Sequence, residues 1–175
     1  MTPEIRMLSV RQPWAYLLCK AGRMPRMAVK PIENRSRTLG TFRGTVLIHA
    51  SLTDESDLQS TITYLAERSI TLPPNPLPIG RIIGKVNLVH VIDTREVPDL
   101  HGKRAEAFRQ MQNHPLQFRG GEIYHVMKWF NGEVGLIMAD PVAFPPEAQI
   151  ECKGKLGLYH PTLEQIAALK EKGLI

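Results

Sequence analysis

The sequence predicts an α+β fold, a small mixed or antiparallel β-barrel with helices around it. Two observations lead there. Short apolar runs rich in β-branched residues recur along the chain, the strongest being Gly80–Asp93 (GRIIGKVNLVHVID), Glu133–Ala139 (EVGLIMA) and Thr45–His49. Helical periodicities interrupt these runs without the regular strand–helix alternation that a parallel α/β sheet requires. With 175 residues, no internal repeat and no linker-like composition, residues 1–175 are expected to form one domain, with a less regular insertion around 94–128.

Met7–Val10 reads as the first strand. Pro13 suits a first helical turn, where its missing N–H costs nothing. Trp14, Leu17, Leu18 and Ala21 follow at i, i+3, i+4 and i+7 on one helical face, with Gly22 as the stop. Residues 23–29 are basic and irregular. Val29–Glu33 is extended, with Pro31 suited to an edge. Thr38–Arg43 is a turn, and Thr45–His49 a buried strand. Ser51 and Asp54 stand at capping-box spacing before a helix whose face carries Leu58, Ile62 and Leu65 and which closes near Arg68. Four prolines between Leu72 and Pro78 exclude regular structure. Gly84 is a candidate bulge in the longest strand. Lys103–Met111 is a charged helix, whereas His114-Pro115 and Gly120-Gly121 read as loop. Phe144–Leu158 carries two extended pieces. Thr162 and Gln165 form a capping box for a last helix ending at Gly173.

Hydrophobic residues at 43% and charged residues at 22% are ordinary for a globular protein. The net charge of +5 favours an anionic partner such as a phosphate-bearing ligand. The two cysteines, Cys19 and Cys152, show no CxxC spacing, and Cys19 reads as a small core residue. The six histidines show no metal-ligand spacing, so no metal and no cofactor are assigned. The opening MTPEIRM has no apolar signal core, and no run approaches the ~20 apolar residues of a membrane span. A cytoplasmic monomer that binds no membrane is expected; the Asn34-Arg35-Ser36 sequon then carries no meaning.

Polar residues crowd one stretch, Leu8–Ser51, at element ends. Arg11, Gln12 and Trp14 lie where the first strand meets the first helix. Lys30, Glu33, Asn34 and Arg35 form the run KPIENR, and His49 and Ser51 end a strand. Each admits a structural reading beside a functional one. Arg11 and Arg35 suit bidentate phosphate binding, or Arg35 pairs with Glu33. Lys30 and Glu33 form a plain salt bridge in preference to a catalytic pair. Gln12 reads a base edge or makes a turn bond. Trp14 belongs to the core by its helical face, and Trp129, between Lys128 and Phe130, is the better base-stacking candidate. His49 is read as a hydrogen-bonded structural histidine before an acid or base. Lys153 and Lys155 track a phosphate backbone or form a solvated turn.

In this order, SxRQPW, IENRS and RGxVLIHAS resemble the ASCH (activating signal cointegrator homology) domain, a PUA-like family of small β-barrels. GRIIGKVNLVHVID, Lys128-Trp129-Phe130 with EVGLIMAD, and ECKGKLGLY resemble that family's later motifs, so the resemblance spans most of residues 8–159. It implies a cleft between the first helix start and the KPIENRS segment that binds RNA or a nucleotide-like ligand. Some family members resemble amidohydrolases for acetylated pyrimidine nucleosides, and others are proposed ribonucleases. The amidohydrolase pattern uses a KxxT pair and a later Glu. Here Lys30 matches, but Glu33 takes the threonine position, and a carboxylate does not replace a hydroxyl nucleophile without changing the mechanism. The connection from Gly22 to Lys30 is also longer than usual in the family, and Arg37 stands where an aromatic often follows IENRS.

Three readings follow. The first is an RNA- or nucleotide-binding protein whose cleft joins Arg11, Gln12, Trp14, Arg35, His49 and Ser51, with Trp129 and Lys153 also at the ligand. The second is a hydrolase using Lys30 and Glu33. The third is a non-catalytic interaction module. Lys30, Glu33 and Arg35 are expected to converge with Arg11 and Gln12, and the helix start at Gln12–Trp14 to offer free N–H groups to an anion.

Overall fold

Seven strands pair in the order β2–β5–β4–β3–β1–β7, with β6 added beside β4, in a computed structural model that describes residues 4–73, 76–116 and 118–175. The strands are β1 (Arg6–Arg11), β2 (Met27–Arg35), β3 (Gly44–Ser51), β4 (Arg81–Asp93), β5 (Val134–Ala143), β6 (Ile150–Glu151) and β7 (Leu158–Tyr159). Only the β1–β3 pair is parallel, so the sheet is mixed, as expected. The strand pairing does not close into a barrel. Its end strands explain why: β7 has only two residues, and β2 carries Pro31, which has no N–H to donate, where its register against β5 breaks between Met27 and Ile32.

Alternation along the strands sends side chains to two faces. Leu8, Val10, Val46, Ile48 and Ala50 pack with α1 (Trp14–Cys19) on one face. Met7, Leu47 and Ile82 pack with Leu169 of α5 (Leu163–Glu171) on the other. Burial on both faces is what makes these strands read as continuous apolar runs. A further cluster joins Leu17 and Ile32 to Ala107 and Met111 of α3 (Leu100–Gln112) and Val126 of α4 (Gly120–Met127). The remaining helix, α2, spans Glu55–Ala66.

Several local expectations give way. The first helix stops at Cys19 because Lys20 turns extended and Ala21 bridges to Ala28; Gly22 instead lies so close to Ala28 that a Cβ would sit 2.8 Å from its carbonyl oxygen. Ser51 and Asp54 form no capping box, since Ser51 still belongs to β3. Leu65 is the buried residue of α2, and Ile62 turns outward. The bulge in β4 falls at Ile83, beside Gly84, whose missing side chain lets Cys19 approach: a Cβ there would lie 2.6 Å from its Sγ. Gly120-Gly121 is no loop but the start of α4, where Glu122 reaches back to accept from the Arg119 backbone N–H at 2.7 Å. Residues 94–128 thus hold two regular helices. The proline-rich stretch forms no helix or strand at its described residues; Pro74 lies outside them. The Thr162–Gln165 capping box forms in both directions.

Candidate functional site

The register break around Pro31 decides the site. Ile32 points into the core, while Lys30, Glu33 and Arg35 gather on the other side of β2. Lys30 Nζ donates to the Ile32 carbonyl and to Glu33 Oε2 at 3.2 Å, and lies 5.5 Å from the centre of the Trp14 ring. Arg35 Nη2 meets Glu33 Oε1 at 3.1 Å and donates to the Ser9 carbonyl at 2.8 Å. Glu33 is therefore shared between two cations. Lys30 is 5% exposed and Glu33 9%. Burial pushes the Lys30 ammonium below its ordinary pKa, with Arg35 adding to the shift and Glu33 opposing it.

Above this trio lies a cavity of about 550 Å³. Its wall is an aromatic corner in which Trp14, Tyr64 and Trp129 meet with ring centres 6.2–6.4 Å apart. Asn34 at its floor donates from Nδ2 to the Trp129 carbonyl at 2.8 Å, tying β2 to the chain after α4. Trp14, Glu33 and Asn34 also line a second cavity of about 830 Å³. This one runs past Arg11, Arg35, His49 and Ser51 to the loop carrying Lys153, Gly154 and Lys155. The two cavities form one groove, aromatic at one end and cationic at the other.

His49 occupies the wall of the second cavity and is buried. Its Nε2 lies 3.1 Å from the Cys152 carbonyl, which only accepts, so Nε2 carries the proton. Nδ1 is left as an acceptor without a partner among the described residues. Burial lowers the His49 pKa, keeping the ring neutral. The loop passes close because residue 154 is glycine: a Cβ there would stand 2.6 Å from both His49 Cε1 and Ser9 Oγ.

The fold is similar to that of ASCH from Zymomonas mobilis. That crystal structure aligns with 96% of this chain and 94% of its own at 13% identity and a TM-score of 0.47. No family model matches the sequence, and no curated protein matches it.

Of the residues singled out in the sequence, Arg11, Trp14, Lys30, Glu33, Arg35, His49, Ser51, Trp129 and Lys153 line this groove. Gln12 does not. Its Nε2 donates to the Pro78 carbonyl at 2.8 Å and its Oε1 accepts from the Tyr16 N–H at 3.1 Å. Gln12 thus consumes a helix-start donor, and the six-residue α1 is not an anion site. Arg11 stands at the rim, its side chain 66% exposed and 3.6 Å from Asp57. Trp129 is more buried than a free stacking platform, and Trp14 shares the wall with it. Tyr64 and Asn131 were not legible as site residues: Tyr64 sits beside the apolar face of α2, and nothing in the sequence links α2 to β2. Among the described residues no group of three His, Cys, Asp or Glu side chains converges, and no helix is long and apolar enough to cross a membrane.

Proposed function

We propose that the groove binds a nucleotide or single-stranded RNA, with the base in the aromatic corner and phosphate toward Arg35, Lys153 and Lys155. The observation that carries this reading is the continuity of the two cavities through Trp14, Glu33 and Asn34. A base against aromatic rings gains ~1–3 kcal/mol, and the cations at the far end meet the phosphate the same ligand carries. Glu33 pairs with two cations and keeps acceptor capacity for a ring N–H of the base, such as N3–H of uracil, while Asn34 places a second polar group beside it. The resemblance of the SVRQPW and KPIENRS segments to ASCH domains points the same way.

Both tryptophans of the chain line the first cavity, so their fluorescence reports its occupancy directly. Titration with uridine monophosphate is expected to quench it, with an affinity that falls as salt rises. No quenching, or an affinity that is flat between low and physiological salt, overturns the reading.

A hydrolytic reading is favoured by one feature, the buried Lys30 ammonium with its lowered pKa on the cavity floor. A lysine so placed serves as base once neutral, or as an electrostatic clamp while charged. Release of acetate from an N-acetylated pyrimidine nucleoside, or cleavage of RNA, that disappears in Lys30→Ala supports it. Binding without turnover leaves the protein a binder, and neither leaves an interaction module.

A further inference from the structure

Beyond Trp129 the groove meets a third cavity, of about 930 Å³, that none of the site residues above except Trp129 lines. Lys20, Arg23, Arg68 and Lys128 surround it, and no carboxylate does. None of the four has an Asp or Glu oxygen within 4 Å among the described residues. Arg26, Arg81, Arg95 and Arg109 each hold a carboxylate, whereas the four cations here face one concavity together without one. Four unneutralised cations around one concavity repel one another, and an anion relieves that repulsion.

The wall between the cavities is thin. Trp129 lines both, and the Arg68 guanidinium lies 3.5 Å over the ring of Tyr64, which lines the first cavity. The loop that presents Arg23 is fixed in advance. Gly22 N–H donates to the Met27 carbonyl at 2.8 Å, and Arg26, at φ 62°, is clamped by Asp140 through two bonds of 2.7 and 2.9 Å. The backbone that carries Arg23 is therefore set before a ligand arrives, which lowers the entropy lost on binding.

We infer that this third cavity holds the phosphate backbone of a single-stranded oligonucleotide whose base occupies the aromatic corner, so that the ligand is a strand of several nucleotides and not a mononucleotide. The inference rests on the base-binding reading of the groove and extends it. A strand crossing the aromatic wall meets cations on both sides, at Arg35 and Lys153 and again at Arg23 and Lys128. A mononucleotide leaves the third cavity empty.

The test compares uridine monophosphate, followed by tryptophan quenching, with fluorescein-labelled octauridylate, followed by anisotropy. The variant is Arg23→Ala/Lys128→Ala; both residues are exposed and neither makes a side-chain hydrogen bond among the described residues. The control is Lys170→Ala/Lys172→Ala, on and just past α5 across the sheet from α1. The wild-type protein is expected to bind octauridylate at least about tenfold more tightly than the monophosphate. The variant should lose most of that gain, with the slope of log affinity against log salt shallower by about 1.4, two phosphates at ~0.7 each on a single strand. Its affinity for the monophosphate should be unchanged. Octauridylate binding that is unaffected in the variant, or reduced equally in the control, overturns the inference while leaving the base site standing. Absence of monophosphate quenching in every protein instead overturns the base site itself, and this inference with it.

Discussion

Glu33 holds two cations at once, and that makes the effects of substitution within the trio unequal. Glu33→Ala leaves the buried Lys30 ammonium with only the Ile32 carbonyl and the Trp14 ring, and is expected to cost about 3–5 kcal/mol in urea unfolding. Lys30→Ala leaves Glu33 paired with Arg35, so the loss should be about 2 kcal/mol smaller, with ligand affinity falling instead. Equal losses in the two variants would show that Arg35 does not hold Glu33. A second single-residue prediction concerns Gly154. Its alanine variant drives a methyl group against His49 and Ser9, and should weaken nucleotide binding at least about tenfold through closure of the second cavity. His90, in β4, carries a pH signature. Burial, the His114 ring and Arg43 lower its pKa from 6.5 to about 4. The unfolded chain therefore takes up the proton first. Stability is full above pH 6.5 and falls as pH drops toward 4. His90→Gln should flatten that decline by about 1–2 kcal/mol, less than the full shift implies because the ring is partly exposed to screening solvent. Thermal melts between pH 4 and 7 measure it.

The elements differed in how plainly the sequence announced them, and burial explains the difference. β3, β4 and β5 lie between packed layers, so their apolar runs are continuous and strong. α5 announces itself through the Thr162–Gln165 box. By contrast, α4 starts on two glycines that read as a turn, because intrinsic propensity carries no trace of the packing of Ile123, Val126 and Met127 that stabilises it. The start of β2 at Met27 was hidden in the same way, behind a basic stretch whose Arg26–Asp140 clamp joins residues 114 apart. The site was half legible. Lys30, Glu33 and Arg35 converge because they share one strand. Of the two readings of Gln12, its contacts fit the turn bond, a choice that a polar residue beside a cleft motif does not reveal because it depends on where its own amide is bound. Tyr64 lies on another element and had no local signal. Docking of α5 is testable through Leu169, fully buried against Met7 and Leu47. Leu169→Ala should cost about 2–4 kcal/mol, and Thr162→Ala about 1, in chemical unfolding. A cost below 1 kcal/mol for Leu169→Ala would mean that the helix does not seal this face.

At the scale of the molecule, the groove gathers residues from β1, α1, β2, β3, α2 and the loop after β6, segments that lie far apart in sequence. A ligand held there touches groups that come together only in the folded chain, so binding and folding are coupled. At a nucleotide concentration 100-fold above its dissociation constant, the coupling is worth about 2.7 kcal/mol. For a chain of 175 residues that corresponds to a rise in Tm of about 5–10 °C. A polyanion tests the same point from the other side. The unfolded chain keeps its charge of +5 and attracts RNA without any groove. Long RNA should therefore raise Tm less than its affinity for the folded protein implies, because it also binds the unfolded state. Thermal melts with uridine monophosphate and with long polyuridylate, each at 100 times its own dissociation constant, separate the two kinds of binding. A clear rise with the monophosphate and a smaller one with the polymer is the expected pattern. No rise with the monophosphate would mean that the chain attracts nucleotides by charge alone, and that the aromatic corner does not hold the base.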